Sequence, residues 1–160
     1  MWFNRYNLIE AVKNNDINRV NSILNNGKAN INAKDRDGWT ALIWASCKGD
    51  LEIAKLLVES GADVNAKDNE GWNALMEASY EGHLEVVQYL VEKGINSVNV
   101  KDRDGWTALM RASWRGYSKI VQYLIEIGAD INIKNKDGKT ALDLADTEEI
   151  KEVLRKAGAK

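Results

Sequence analysis

The stretch "GWTALIWAS" at Gly38–Ser46 returns as "GWNALMEAS" at Gly71–Ser79 and as "GWTALMRAS" at Gly105–Ser113. Seven of the nine columns keep one residue or a close relative. The column at 43 stays apolar (Ile43, Met76, Met110), whereas the column at 44 runs Trp44, Glu77, Arg111. Self-similarity at a fixed period is the signature of a stacked-repeat architecture, and it governs everything read from the rest of the chain.

Working outward, Gly38, Gly71, Gly105 and Gly138 are spaced 33, 34 and 33 residues apart. Each nonapeptide opens a helical segment, and a second follows: "LEIAKLLVESG", "LEVVQYLVEKG" and "SKIVQYLIEIG". In the first of these, Leu51, Ile53, Leu56 and Leu57 fall on one helical stripe. Gly61, Gly94 and Gly128 close the second helices, and Gly49, Gly82 and Gly116 sit between the two. The connectors, such as "ADVNAKDNEG" and "ADINIKNKDG", pair an extended start with a D-x-x-G or N-x-x-G turn. They predict a short hairpin, with one extra residue in "GKANINAKD" and "GINSVNVKD". The unit is helix, turn, helix, hairpin, and the fold class is all-α.

These features together resemble the ankyrin-repeat family, with its period of 33 and its helix-opening phrase T-P-L-H-x-A. Here the phrase is Thr40-Ala41-Leu42-Ile43-Trp44-Ala45, with copies at Asn73–Ala78 and Thr107–Ala112, and "GADVNAKD" at Gly61–Asp68 matches the family hairpin. The family's proline is Ala41, Ala74, Ala108 and Ala141, and its histidine is Ile43, Met76 and Met110, so apolar packing must replace the hydrogen bonds of that histidine. The resemblance implies one domain over 1–160: an N-terminal cap (4–34), repeats at 35–67, 68–101 and 102–134, and a C-terminal cap (135–160). The first unit matches Leu8 to Leu42, Ala11 to Ala45 and Ile17 to Leu51. The last loses about three residues between its helices, and Asp146 with Glu149 has the spacing of a capping box.

A column that swings from Trp to Glu to Arg is expected at an exposed surface, because a buried site that takes one will not take the others. Cys47-Lys48, Tyr80-Glu81 and Trp114-Arg115 lie one turn further along the same helical face. In the family these columns line a concave groove that binds partners. The resemblance therefore makes Trp39, Trp44, Lys48, Trp72, Glu77, Tyr80, Glu81, Trp106, Arg111, Trp114 and Arg115 candidate protein-binding residues. Trp, Tyr and Arg are the residues most enriched at interface hot spots. Two readings stay open for Trp39, Trp72 and Trp106, which recur in every internal repeat: hairpin support or binding. The groove charges are sorted, with Glu70, Glu77 and Glu81 in one repeat and Arg103, Arg111 and Arg115 in the next. Glu77 and Arg111, or Glu81 and Arg115, could pair across the surface instead of meeting a partner.

Composition narrows the function classes. The 160 residues carry 22 basic and 24 acidic side chains, a net charge of -2, which disfavours nonspecific binding to nucleic acid or anionic membrane. A ligand stacked on Trp106 and Trp114 beside Arg103, Arg111 and Arg115 is the nucleic-acid reading that this acidity opposes. The opening "MWFNRYNLIEAVKNND" lacks the apolar core of a leader, no run approaches a membrane span, and the single Cys47 fits a reducing compartment. A cytoplasmic protein is expected. His83, the only histidine, lies where the family carries a structural one, and it has neither a nucleophile at motif spacing nor a second histidine to share a metal. No catalysis, metal or cofactor is expected. The expected function is partner-protein binding. Self-association into a homodimer through the same aromatics is the alternative, and an engineered scaffold is disfavoured by the irregular repeats, the asparagine-rich first unit and the free cysteine.

Overall fold

The computed structural model describes residues 3–160, with side chains from Leu8 onward. The expected start of the first cap at 4–7, and the apolar-core test for a leader, rest partly on side chains outside that range. The described residues form ten helices: α1 (Phe3–Lys13), α2 (Ile17–Asn25), α3 (Ala41–Lys48), α4 (Leu51–Glu59), α5 (Ala74–Glu81), α6 (Leu84–Glu92), α7 (Ala108–Arg115), α8 (Ser118–Glu126), α9 (Ala141–Leu144) and α10 (Glu148–Lys156). The odd-numbered helices pack in succession as an inner layer, and the even-numbered ones form an outer layer behind them.

The repeated phrase explains the inner helices. Thr40, Asn73 and Thr107 accept hydrogen bonds from the N–H groups of Ile43 (3.2 Å), Met76 (2.9 Å) and Met110 (3.3 Å), so each helix starts on a side-chain cap. Each ends at a glycine with positive φ: Gly49, Gly82 and Gly116. At Gly49 the choice is also steric, since an added Cβ would lie 2.3 Å from His83 Nδ1. His83 packs on that glycine and bonds through Nε2 to the Cys47 carbonyl oxygen at 2.9 Å, so it holds two repeats together. Tyr117 takes the corresponding place on Gly82. In the first unit Asn15 adopts the left-handed conformation at φ 53°, at the position equivalent to Gly49.

Leu42, Leu75 and Leu109, with Ile43, Met76 and Met110 beside them, are buried throughout. The column that lost the family's histidine is therefore part of the apolar core, with the alanines at 45, 78 and 112 allowing close approach of neighbouring inner helices. Ile53, Leu57, Val86, Leu90, Ile120 and Leu124 cover this layer from the outer helices. Each such aliphatic side chain contributes roughly 1.5–3 kcal/mol relative to exposure.

The connectors reverse the chain without forming strands among the described residues, apart from one isolated bridge between Lys67 and Asn73. Each loop is instead wrapped around an aspartate or, in the last, an asparagine. Asp68 Oδ1 accepts from Glu70 N–H (2.8 Å) and Trp72 N–H (2.9 Å), and Asp35, Asp102 and Asn135 repeat the pattern. One main-chain bond then ties each loop to the next: Asn69 N–H to Asp37 O, Arg103 N–H to Glu70 O, Lys136 N–H to Asp104 O. An asparagine column adds a second tie, with Asn32, Asn65 and Asn99 accepting from Asp63, Asn96 and Asp130 N–H.

The last unit departs from expectation. Helix α9 has four residues where α7 has eight, so the missing residues come out of the inner helix, and α10 is of full length. The capping box is not Asp146 with Glu149. Thr140 and Asp143 form one at α9, and Thr147 caps α10 by accepting from Ile150 N–H at 3.2 Å. Asp146 is drawn away because its own N–H bonds to the Ser113 carbonyl at 3.0 Å. Glu149 is drawn away because it accepts from Ser118 Oγ at 3.1 Å.

Candidate binding surface

The inner helices and loop tips bring the aromatic columns together into one strip. Trp39 and Trp44 meet with ring centroids 4.6 Å apart. Further along, Trp72 meets Tyr80 edge-on at 5.4 Å, Tyr80 stacks on Trp114 at 6.0 Å, and Trp106 meets Trp114 at 5.8 Å. Trp114 is 46% exposed, the most open large apolar side chain among the described residues. Trp39, Trp72 and Trp106 are half-buried against the core, and their main-chain N–H groups donate to the loop aspartates. They support the loops and also wall the strip.

The column at 44 is not the exposed surface its variability suggests. Trp44 is half-buried, the Arg111 side chain is 11% exposed, and Glu77 is 5% exposed. The flanking indoles cover the column, and the variation is absorbed by the loop aspartate nine residues upstream. In the first repeat Trp44 Nε1 donates to Asp35 Oδ2 at 2.9 Å. In the third, Arg111 Nη2 forms a charge-assisted bond with Asp102 Oδ2. Its guanidinium lies between two indoles, 4.0 Å from the Trp72 centroid and 4.3 Å from that of Trp106. In the second repeat the column offers Glu77 to Asp68, an acid facing an acid. Burial, then Asp68 and Glu81, push the Glu77 carboxyl up from 4.5 to about 8, with Arg111 opposing.

Of the two readings left open for the groove charges, neither Glu77 with Arg111 nor Glu81 with Arg115 forms an ion pair. Arg111 turns to Asp102, and Arg115 lies 4.4 Å over Tyr80 while donating to Tyr117 Oη at 3.3 Å. Arg103 and Glu70 approach to 3.9 Å, both largely exposed, an arrangement that contributes little. Lys48 is exposed at the end of α3 and donates to the Lys13 carbonyl. Lys13, which the offset of 34 places in the column of Cys47, Tyr80 and Trp114 but which was not among the candidates, places its ammonium 4.5 Å over the Trp44 ring. The loop aspartates were visible in the sequence only as turn residues. Their recurrence nine positions before the variable column carries the signal for the second role. Cys47 is half-buried, and burial, then Glu77 and Glu81, push its thiol up to about 11, so it is a poor nucleophile at neutral pH.

Two cavities open along the strip. One, of about 770 Å³, lies between α1 and the first loop and includes Lys13, Asp35 and Trp44. The other, of about 490 Å³, lies between the first two loops, with Trp39, Trp44, Trp72, Asp68 and Glu77 in its lining. Among the described residues no helix is long and apolar enough to cross a membrane.

A family model described as "Ankyrin repeats (3 copies)" matches residues 8–102, 64–135 and 96–160. A 47-residue segment is 57% identical to the acyl-CoA-binding domain-containing protein 6 homolog of Dictyostelium discoideum, covering 29% of this chain and 16% of the relative. A 55-residue segment is 36% identical to the palmitoyltransferase AKR1 of Debaryomyces hansenii, covering 34% of this chain and 7% of the relative. The chain spans less than a fifth of either relative.

Proposed function

The chain belongs to the ankyrin-repeat family, and from that premise we propose that it is a non-catalytic adaptor binding one partner protein along the strip from Trp39 to Trp114. Ankyrin repeats are generally protein-interaction modules. The observation that carries the reading here is the continuity of the aromatic contacts. Trp72, Tyr80, Trp114 and Trp106 touch in sequence, with Trp114 left 46% exposed, and Trp39 with Trp44 forms a second pair on the same face. Rigid aromatics of this kind supply large contact area at little entropic cost. The segments at 35–67, 68–101 and 102–134 act as the three full repeats of this surface. The matched relatives carry acyl-CoA binding and palmitoyl transfer in their names, and neither activity is carried over, since the shared segments are short.

The test is affinity capture from cell lysate with wild type and with a Trp44→Ala/Tyr80→Ala/Trp114→Ala variant, both verified as folded by circular dichroism. A protein retained by wild type alone supports the reading and identifies the partner. Equal retention by both moves the binding surface off the strip. With no retention and a mass that rises with concentration, the strip closes on a second copy of the chain instead.

A further inference from the structure

The second cavity has a filled counterpart one repeat along the same molecule. There the walls are Trp72 and Trp106, the floor is Asp102, and the occupant is the guanidinium of Arg111. One repeat earlier the walls are Trp39 and Trp72, and the floor is Asp68, whose Oδ1 makes the same loop bonds. The residue in the Arg111 column is Glu77, which supplies no cation. Among the described residues Asp68 Oδ2 receives no hydrogen bond, although its counterparts receive Trp44 Nε1 and Arg111 Nη2. The Glu77 carboxylate, 5% exposed and lining the same cavity, has no hydrogen-bond donor either. Of the cations nearby, Arg111 is bound to Asp102, Lys13 lies over Trp44 and Arg103 approaches Glu70.

We infer that the cavity between Trp39 and Trp72 receives an arginine side chain of the partner protein, held by Asp68 and Glu77 as Arg111 is held by Asp102 one repeat away. This deepens the adaptor reading and rests on it. A guanidinium suits the place better than an ammonium. It is planar and weakly hydrated, stacks on indole faces, and presents five N–H donors to two carboxylates. The cavity of about 490 Å³ leaves room for the guanidinium with its methylene stem. Arrival of the cation removes the like-charge conflict between Asp68 and Glu77 and lets both ionise.

The test follows the indole N–H resonances of Trp39, Trp44 and Trp72 by nitrogen-15 NMR while the protein is titrated with acetyl-Gly-Arg-Gly-amide and with its citrulline counterpart. Citrulline keeps the shape and removes the charge. The Arg peptide should shift Trp39 and Trp72 saturably, and the citrulline peptide should bind at least about tenfold more weakly, from the loss of cation–π and charge-assisted contacts. Glu77→Arg places a resident guanidinium where the repeat beyond has one, and should abolish peptide binding. Glu77→Gln, which keeps size and fold, should weaken binding severalfold. Equal binding of both peptides, shifts confined to Trp106 and Trp114, or unchanged binding to both variants would overturn the inference. Running Glu77→Arg beside the triple-alanine variant in the capture experiment separates this inference from the adaptor reading. A partner lost by the triple variant yet retained by Glu77→Arg refutes the arginine slot alone. Peptide binding with capture unaffected by the triple variant refutes the adaptor strip alone.

Discussion

Replacing Glu77 by glutamine should stabilise the protein, and the gain should depend on pH. In the wild type, burial, then Asp68 and Glu81, raise the carboxyl from 4.5 to about 8. The folded state therefore holds a proton that the unfolded chain releases between those values. Linkage then makes wild-type stability fall as pH rises from about 4.5 to about 8 and level off above. Each pH unit across that window is about 1.36 kcal/mol, so the loss is on the order of 4 kcal/mol. The groups facing Glu77 do not reverse the sign. Asp68 and Glu81 oppose ionisation of Glu77 and Arg111 favours it, while Cys47, pushed up to about 11, stays neutral. Glutamine carries no charge over this range, and its amide can donate to Asp68 Oδ2 as the Trp44 indole does to Asp35. Thermal melts followed by circular dichroism from pH 5 to pH 9 check this. The Tm of Glu77→Gln should match wild type near pH 5 and exceed it by roughly 10 °C at pH 9, taking about 2–4 °C per kcal/mol for a domain of this size. A difference that stays constant across the range would refute the buried-acid account, whatever its size.

Three other outcomes are expected. Arg111→Met leaves the buried Asp102 carboxylate without its cation and should cost about 3–5 kcal/mol in urea unfolding, with Asp102→Asn in the same chain recovering part of it. Gly49→Ala sets a Cβ in the left-handed region against the His83 ring, so it should lower Tm, and adding His83→Ala should return only the steric part of the loss. Asn65→Ala removes the acceptor of the Asn96 N–H, which should cost about 1 kcal/mol and speed hydrogen exchange at that amide selectively.

The stack was legible because repetition samples one structural position several times. Capping residues at 40, 73 and 107, glycines at 49, 82 and 116, and leucines at 42, 75 and 109 all follow from short-range chemistry. The variable column misled for a physical reason. Its burial is set by the neighbouring tryptophans, and each of its residues meets the aspartate nine positions upstream on its own terms. Trp44 and Arg111 donate to that aspartate, and Glu77 cannot do so while ionised. Variability reports that no single residue type is required, which differs from exposure. The capping box at Asp146 failed similarly, because the spacing was right but the atoms were committed to Ser113 and Ser118 across the repeat boundary.

The main-chain bonds that tie Asp37 to Asn69, Glu70 to Arg103 and Asp104 to Lys136 act at one place in every repeat. They give the proposed binding face the character of a ruler with a fixed graduation, set by main-chain geometry. Neighbouring inner helices stand roughly 8–10 Å apart, and an extended peptide advances about 3.3 Å per residue. A partner strand running along the strip therefore meets a new repeat about every third residue. An arginine seated over Asp68 fixes which later side chain reaches the place already held by Arg111. A partner bound in the proposed way is then constrained in the spacing of its motif as well as in its composition.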